Sequence, residues 1–190
     1  MDHQIGEIFE ELDRKGLREN TYIIFTADHG LAMGKHGLLG KQTMFDHSMG
    51  APFIISGPGI PKGKKLNQDI YIQDAMATIL EIAGVDKPDY VEFESLLALI
   101  NGDKDLIRED IYGAYLNNQR MIKKGGFKLT VYPNAKKLLL FDMENDPLEM
   151  NDLADQPQYK ELRKSLFAAL QKQQGQLNDK LTLNEMDYVF

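Results

Sequence analysis

The stretch from residue 22 to residue 47, YIIFTADHGLAMGKHGLLGKQTMFDH, decides how the chain is interpreted. It opens with an apolar run at residues 22–26, rich in β-branched and aromatic side chains, which predicts a buried strand. Asp28, His29 and Gly30 end that run. Because ligands bind at the carboxyl ends of strands in open α/β sheets, polar groups at this point predict a binding site.

The rest of the stretch combines ionisable side chains with glycines. The ionisable residues are Lys35, His36, Lys41, Asp46 and His47, and the glycines are Gly34, Gly37 and Gly40. Glycines let a backbone turn sharply and approach a bound group closely. The segment is therefore predicted to be a loop that forms a site rather than a helix.

The sequence on either side predicts alternating helices and strands. Helical spacing of apolar residues indicates a helix over residues 3–15 and another over residues 75–83, each followed by a glycine. Residues 52–56 predict a second buried strand, which the turn at Gly57-Pro58-Gly59 closes. A short apolar piece follows at residues 95–100.

The pattern changes after residue 108. Four short strands are predicted, separated by turn-forming Asn, Gly and Pro residues, at residues 111–115, 120–122, 127–132 and 137–141. Successive short strands of this kind favour an antiparallel meander. A helix is predicted over residues 158–174. The tail after Gly175, with its late apolar residues Met186, Tyr188, Val189 and Phe190, is expected to be loosely held.

Composition narrows the classes of protein to consider. The 190 residues suffice for one domain with a core, or one domain with a small appendage. A hydrophobic content of 43% and a charged content of 27% are ordinary for a globular protein. The net charge of -7 argues against a nucleic-acid surface. No apolar run reaches the roughly 18 residues of a membrane span, and residues at the start lack the form of a signal peptide. Because any signal peptide is expected on a segment that is not in this sequence, localisation stays open.

Two motifs resemble the sulfatase family of the alkaline phosphatase superfamily, with arylsulfatases and choline-sulfatases as the nearest types. The first is T-A-D-H-G-x-x-x-G-x-H-G-x-x-x-K at residues 26–41, followed by F-D-H-S and the proline-bearing run P-F-I-I-S-G-P-G. The second is LFDMENDPLEMNDLA at residues 140–154, which is similar to the signature of the small carboxyl-terminal subdomain of sulfatases. We expect its Asp146-Pro147 pair to form a turn, and Asn151 or Asp152 to cap backbone amides.

The resemblance implies a fold class and a domain division. The chain is expected to be the carboxyl-terminal part of an alkaline-phosphatase-like α/β sandwich plus a small antiparallel four-stranded sheet with a carboxyl-terminal helix. Residues 1–105 would belong to the catalytic α/β domain, residues 106–175 to the subdomain with its packed helix, and residues 176–190 to a tail. A truncated sheet would expose an edge and apolar surface, so oligomer formation or aggregation is expected.

The resemblance also assigns a nucleophile that this chain does not contain. Sulfatases use formylglycine, made by oxidising the Cys or Ser of a C/S-x-P-x-R motif. The chain has no cysteine and neither version of the motif. We therefore interpret it as a sulfatase fragment that is inactive alone. In the complete enzyme the hydrated formylglycine would attack sulfur and expel the alcohol.

Metal ligation is the role that the resemblance gives to Asp28 and His29. The matching family residues hold a divalent cation beside the sulfate, with Ca²⁺ favoured over Mg²⁺. A carboxylate is the hard oxygen ligand that such cations take. The alternatives are a capping or turn role for Asp28 and, because imidazole is a softer ligand, a hydrogen bond to a sulfate or nucleophile oxygen for His29.

Substrate contact is the implied role of Lys41 and His36. Lys41 matches the family lysine on the sulfate oxygens, where a fixed cation stabilises developing charge; the alternative is a solvated surface lysine. His36 would either donate a proton to the leaving group or line the subsite. Lys35 departs from the acidic residue usual in the family, and Asp46 and His47 are expected to make structural hydrogen bonds.

Three hypotheses remain at this stage. The chain is a sulfatase fragment acting on a sulfate ester of a small molecule or carbohydrate, a phosphodiesterase or phosphonate hydrolase relative, or a non-catalytic module that binds an anionic ligand. A nucleic-acid partner and a membrane span are not expected.

Overall fold

The computed structural model describes residues 1–188, which form two compact units. The first comprises Met1–Ala27, Pro52–Gln68 and Ile72–Ile107. The second comprises Asp28–Ala51, Asp69–Tyr71 and the chain from Arg108 onward. The predicted division at residue 105 refers to the parent enzyme and stays a prediction. Within the described part of the chain, no helix combines the length and the apolar character needed to cross a membrane.

The first unit contains three helices and a two-stranded sheet. The helices are α1 (Asp2–Arg14), α3 (Asp74–Ile82) and α4 (Leu97–Asn101), and the strands are β1 (Ile23–Thr26) and β4 (Phe53–Ser56). The strands run antiparallel, with Ile24 opposite Ile55. The helices and strands predicted from periodicity are thus present, and the short apolar piece forms α4.

The prediction that β1 and β4 are buried was wrong. Every residue of β1 and β4 is partly or fully exposed, and Ile54 is 61% exposed. A sheet of two strands covers little apolar area by itself, so side chains that suit a buried sheet remain accessible.

Buried polar groups connect α3 to α4. Asp74 is completely buried, and its Oδ1 accepts from the backbone N–H of Glu94 at 3.1 Å. The Thr78 hydroxyl donates to the Asp74 carbonyl at 2.7 Å and accepts from the Leu96 N–H at 2.9 Å. These bonds hold the segment before α4, whose Leu99 and Ile100 are buried.

The second unit is built on a four-stranded antiparallel meander. Its strands are β5 (Asp110–Tyr115), β6 (Gln119–Lys124), β7 (Phe127–Tyr132) and β8 (Lys137–Asp142), paired in chain order. Ile122 pairs with Leu129, and Leu129 with Leu140. This confirms the predicted meander, because turn residues separate four short strands that neighbour one another in sequence.

Helix α5 (Lys160–Gln176) packs on that sheet, after a short 3-10 turn at Pro157–Tyr159. Its buried Leu166, Phe167 and Leu170 join the apolar side chains of the strands in one core. The predicted carboxyl-terminal helix is therefore confirmed. Four small elements precede the meander within this unit: β2 (Ala32–Met33), a 3-10 turn at Lys35–Gly37, β3 (Leu39–Gly40) and the one-turn helix α2 (Asp46–Met49).

The prediction of a loosely held tail was wrong for the described residues. Leu183 and Tyr188 are buried in the core, and the Tyr188 ring lies 5.3 Å from that of Phe167. The side chain of Gln171 donates to the Leu183 carbonyl at 3.0 Å. Backbone carbonyls of the tail thus accept hydrogen bonds from α5 while its apolar side chains fill the core. Val189 and Phe190 lie outside the described residues.

Candidate active-site loop

Gly30 lets the Asp28-His29 segment approach α2. A Cβ atom at this position would lie 2.3 Å from the His47 carbonyl oxygen and 2.6 Å from that of Gly50. The Gly30 N–H donates to the Ser48 carbonyl at 2.9 Å. Only glycine allows this close approach without moving the backbone, so the packing fixes where Asp28 and His29 lie.

A tight hairpin then returns the chain toward His29. Strands β2 and β3 pair antiparallel, with Ala32 opposite Gly40 and Met33 opposite Leu39. Gly34 turns the chain with a φ of 95°, and its N–H donates to the Leu38 carbonyl at 2.9 Å. Lys41 follows β3 directly, so the hairpin brings its side chain beside the imidazole.

Asp28, His29 and Lys41 form one cluster. His29 Nδ1 lies 2.7 Å from the Gly30 carbonyl, and its Nε2 lies 2.5 Å from Lys41 Nζ and 3.0 Å from Asp28 Oδ2. Because a carbonyl can only accept, Nδ1 carries the proton. Nε2 can then either accept from the Lys41 ammonium or, if it too carries a proton, donate to Asp28. Asp28 remains open to solvent, with its side chain 82% exposed.

The donor set fits part of a divalent-cation site. An Asp28 carboxylate oxygen lies 3.0 Å from His29 Nε2, and the Lys41 ammonium lies 2.5 Å from the same nitrogen. Ca²⁺ takes about six to eight oxygen ligands, so two residues do not complete its coordination. Across residues 1–188, no group of three or more His, Cys, Asp or Glu residues is arranged to hold a metal ion. Any cation here would need further ligands.

His36 makes its contacts elsewhere in the loop. Its backbone is left-handed, with a φ of 54°, and its Nε2 lies 3.1 Å from the Leu148 carbonyl. Its ring stacks on Phe45 with centroids 4.0 Å apart and lies 5.5 Å from the ring of His47. The structure thus brings together Asp28, His29 and Lys41, whereas the contacts found for His36 within residues 1–188 lie outside that cluster.

His47 is half-buried, with its ring beside those of His36 and Phe45. Burial lowers its pKa, and the neighbouring His36 and Lys35 lower it further. A neutral His47 is compatible with its stack against Phe45, whose ring centroid lies 5.6 Å away.

A family model described as "N-sulphoglucosamine sulphohydrolase, C-terminal" matches residues 34–176, most of the chain. The chain belongs to the sulfatase family. It is 32% identical to an ulvan-active sulfatase from Formosa agariphila, over 100% of this chain and 40% of that relative. It is 33% identical to an arylsulfatase from Clostridium perfringens, over 90% of this chain and 38% of the relative. The chain therefore spans about two fifths of the length of these curated relatives.

The fold agrees with this assignment. A solved structure described as being in complex with its substrate, D-glucosamine-2-N,6-O-disulfate, superimposes with a TM-score of 0.86 at 27% identity. The match covers 94% of this chain and 39% of that one. The predicted fold class, the carboxyl-terminal part of a sulfatase with its small antiparallel sheet and helix, is confirmed.

The second motif of this sulfatase domain organises the turn after β8. Asp152 Oδ1 accepts from the backbone N–H groups of Leu140 at 3.0 Å and Ala154 at 2.9 Å, as predicted for a capping residue. Asp146 Oδ2 accepts from the Asn151 N–H at 2.7 Å. These bonds close the turn at residues 146–151 against the end of the sheet.

Sequence reasoning missed a buried ionic cluster in the same sulfatase domain. Lys128, the second residue of β7, is completely buried. Its Nζ lies 2.5 Å from Asp46 Oδ1, 2.5 Å from Glu149 Oε1 and 3.0 Å from the Met44 carbonyl. The signal that could have found it was a lysine within an apolar strand, because such a residue needs buried acceptors. Asp46 does make the structural hydrogen bonds expected of it.

Proposed function

We propose that this chain supplies the cation-binding and sulfate-binding half of a sulfuric ester hydrolase site and has no sulfatase activity by itself. The observation that supports this most strongly is that Asp28 Oδ2 and Lys41 Nζ both lie within 3.0 Å of His29 Nε2. The absence of cysteine and of a C/S-x-P-x-R motif supports inactivity, because the chain offers no residue for conversion to formylglycine.

Lys41 would bind the sulfate oxygens. Breaking a sulfate ester develops negative charge on the sulfuryl and leaving oxygens, and a fixed ammonium stabilises that charge. Lys41 Nζ lies 2.5 Å from His29 Nε2, so the ammonium is already placed beside the proposed cation ligands.

Asp28 and His29 would hold a divalent cation, calcium in preference to magnesium, with its remaining ligands supplied by water, the bound sulfate or groups outside this chain. Such a cation acts as a Lewis acid toward the ester oxygens. The Gly30 carbonyl keeps the Nδ1 proton in place and so leaves Nε2 free to ligate. Lys41 would then turn from His29 toward the anion.

His36 is the second proposed substrate contact, either as a donor to the leaving group or as a wall of the subsite. Its Nε2 is engaged by the Leu148 carbonyl, which leaves Nδ1 as the ring nitrogen able to meet a substrate. The stack on Phe45 orients the ring in one plane.

A carbohydrate sulfate is the substrate class that we propose. One relative is described as ulvan-active, and the superimposed structure holds a disulfated glucosamine. Ring hydroxyls and sulfate groups would suit the mixed cationic and imidazole side chains of the loop.

To test the proposal, the transcript upstream of Met1 is sequenced and translated in frame, and the encoded segment is expressed together with this chain. We expect a C/S-x-P-x-R segment upstream and hydrolysis of 4-nitrophenyl sulfate by the whole protein. The 190-residue chain alone should give none. Asp28→Asn and Lys41→Ala should each lower kcat/KM about 10²- to 10³-fold, the usual effect of removing one charge-stabilising group.

Asp155→Asn, an exposed carboxylate in the same unit, serves as the matched control and should retain activity. Turnover by the chain alone would refute its predicted inactivity. Preference for a phenylphosphonate ester over the sulfate would favour the phosphonate hydrolase class. A stop codon directly upstream would favour a non-catalytic binding module.

A further inference from the structure

The loop that carries Lys41 is attached at both ends to one turn. At one end, the His36 imidazole lies 3.1 Å from the Leu148 carbonyl. At the other, the backbone N–H of Asp46 donates to Glu149 Oε2 at 2.6 Å. Leu148 and Glu149 are neighbours in the turn at residues 146–151, so two adjacent residues hold both ends of the segment at residues 36–46.

Lys128, on β7, contacts both the loop and the turn at this second attachment point. Its ammonium has three N–H donors and three acceptors within reach: the Met44 carbonyl, Asp46 Oδ1 and Glu149 Oε1. Two of the acceptors belong to the loop and the third to the turn. The Lys128 and Glu149 side chains are buried, whereas the Asp46 side chain is 40% exposed.

The backbone at both contact points is unusual. Glu149 has a φ of 58° and His36 a φ of 54°, in the left-handed region that residues other than glycine seldom adopt. The Glu149 N–H donates to the Asp146 carbonyl at 3.0 Å, which stabilises the turn in this form. Strained residues of this kind persist where surrounding contacts require them and often lie near functional sites.

We propose that Glu149 and Lys128 are positioning residues, which clamp residues 44–46 to the turn at residues 146–151 and thereby fix Lys41 beside His29. The clamp gives the DPLE part of the second sulfatase motif a role in the site. This inference rests on the proposed function for its consequence in sulfate binding, while the clamp itself can be measured without a ligand.

Glu149→Gln tests the clamp most directly. Its amide keeps one oxygen but places an NH₂ group against either the Lys128 ammonium or the Asp46 N–H, so one bond is lost. We expect amide hydrogen exchange at Leu38 and Met44, measured by NMR on the 190-residue chain, to become about 10- to 100-fold faster. Amides in the centre of β6 and β7 should keep their wild-type rates.

Lys128→Met/Glu149→Leu is the second variant, because replacing a buried ion pair by apolar residues of similar size often preserves stability. It should also speed exchange in the loop. Glu144→Gln changes an exposed carboxylate two residues after β8; it is the control and should leave loop exchange unchanged. Unchanged loop exchange in both variants, or equal acceleration across the sheet, would overturn the clamp.

A calcium and inorganic sulfate titration separates the two proposals. If the clamp positions Lys41, the apparent sulfate affinity, measured from the NMR signals of Lys41 and His29, should be about tenfold weaker in Glu149→Gln than in the wild type. Unresponsive wild-type signals would refute the proposed function, whereas the exchange data would still decide the clamp. A wild-type affinity in Glu149→Gln, despite a loosened loop, would refute the positioning role.

Discussion

Two charged clusters in the same unit differ in how their charges are satisfied. Lys128 is fully buried, and its ammonium lies within 3.0 Å of three protein oxygens, two of them on carboxylates. Asp28, His29 and Lys41 lie at the surface, where one imidazole nitrogen faces both an ammonium and a carboxylate. It can accept from Lys41 or donate to Asp28, but not both. The buried cluster, whose charges are paired within the protein, stabilises the fold. In the exposed cluster His29 Nε2 cannot satisfy Lys41 and Asp28 together, so one of them is available to bind a ligand.

The largest effect should come from breaking the buried cluster. Lys128→Met leaves Asp46 and Glu149 without their cation, and losing one partner of a buried pair costs about 3–5 kcal/mol. Urea unfolding followed by circular dichroism should show this loss. Lys137→Met, at an exposed position of β8, is the control and should lie within about 0.5 kcal/mol of wild type. Equal stabilities of the two variants would show that Lys128 is not paired as described.

A second buried pair should give an intermediate effect. Asp179 accepts from the Arg120 guanidinium and the Tyr112 hydroxyl, and it also accepts from the Leu181 N–H at 3.0 Å. Asp179→Asn should lower the free energy of unfolding by about 1.5–3 kcal/mol, the usual range for hydrogen bonds to charged groups. Hydrogen exchange should rise at residues 181–188, where these bonds hold the tail.

The same pair predicts a pH dependence with a defined sign. The Arg120 guanidinium holds the pKa of the Asp179 carboxyl far below its usual range. Its stabilisation is therefore complete above the unfolded pKa of about 3.9 and is lost as the pH falls below it. Unfolding of the wild type in acid should be steeper than that of Asp179→Asn. Parallel curves for the two proteins would contradict the pairing.

Association of the isolated chain should respond to its exposed sheet. Ile54 on β4 is 61% exposed, in a sheet of only two strands. Light scattering should detect oligomers of the chain, and Ile54→Lys should reduce them with little change in stability, because a charge on an exposed strand blocks pairing. Light scattering that shows only monomers of the wild-type chain would contradict this prediction.

The smallest effect on stability is expected in the exposed cluster. Lys41→Ala removes a surface ammonium and should change the free energy of unfolding by less than about 0.5 kcal/mol. Urea unfolding measures this directly. A larger loss would mean that Lys41 supports the fold, and its role would then resemble that of Lys128.

The sequence predicted what depends on local pattern and missed what depends on distant partners. The meander and α5 follow from turn residues and apolar spacing that neighbours in the chain already display. The hairpin of β2 and β3 was not predicted. That Lys41 and His29 belong to one site was implied only by the family motif. Burial of β1 and β4 was predicted wrongly, because an apolar strand does not reveal how many strands accompany it.

Pairings over long separations account for the remaining misses. Lys128, Asp46 and Glu149 are distant in sequence, and the residues around any one of them do not indicate which side chains pair with it. The tail was expected to be loose because of its polar composition, yet Asp179 and Leu183 find partners on β6 and α5. Charges and polar tails are predicted poorly when the acceptor that stabilises them is supplied by another element.

The most direct test of the proposed half-site is an NMR titration of the labelled 190-residue chain with calcium and inorganic sulfate at millimolar concentrations. We predict that the signals of Asp28, His29 and Lys41 shift together, that Asp28→Asn abolishes the response, and that the control Asp155→Asn preserves it. Signals that stay unmoved in the wild type, or that respond equally in Asp28→Asn, would contradict the assignment of these residues to a cation and sulfate site.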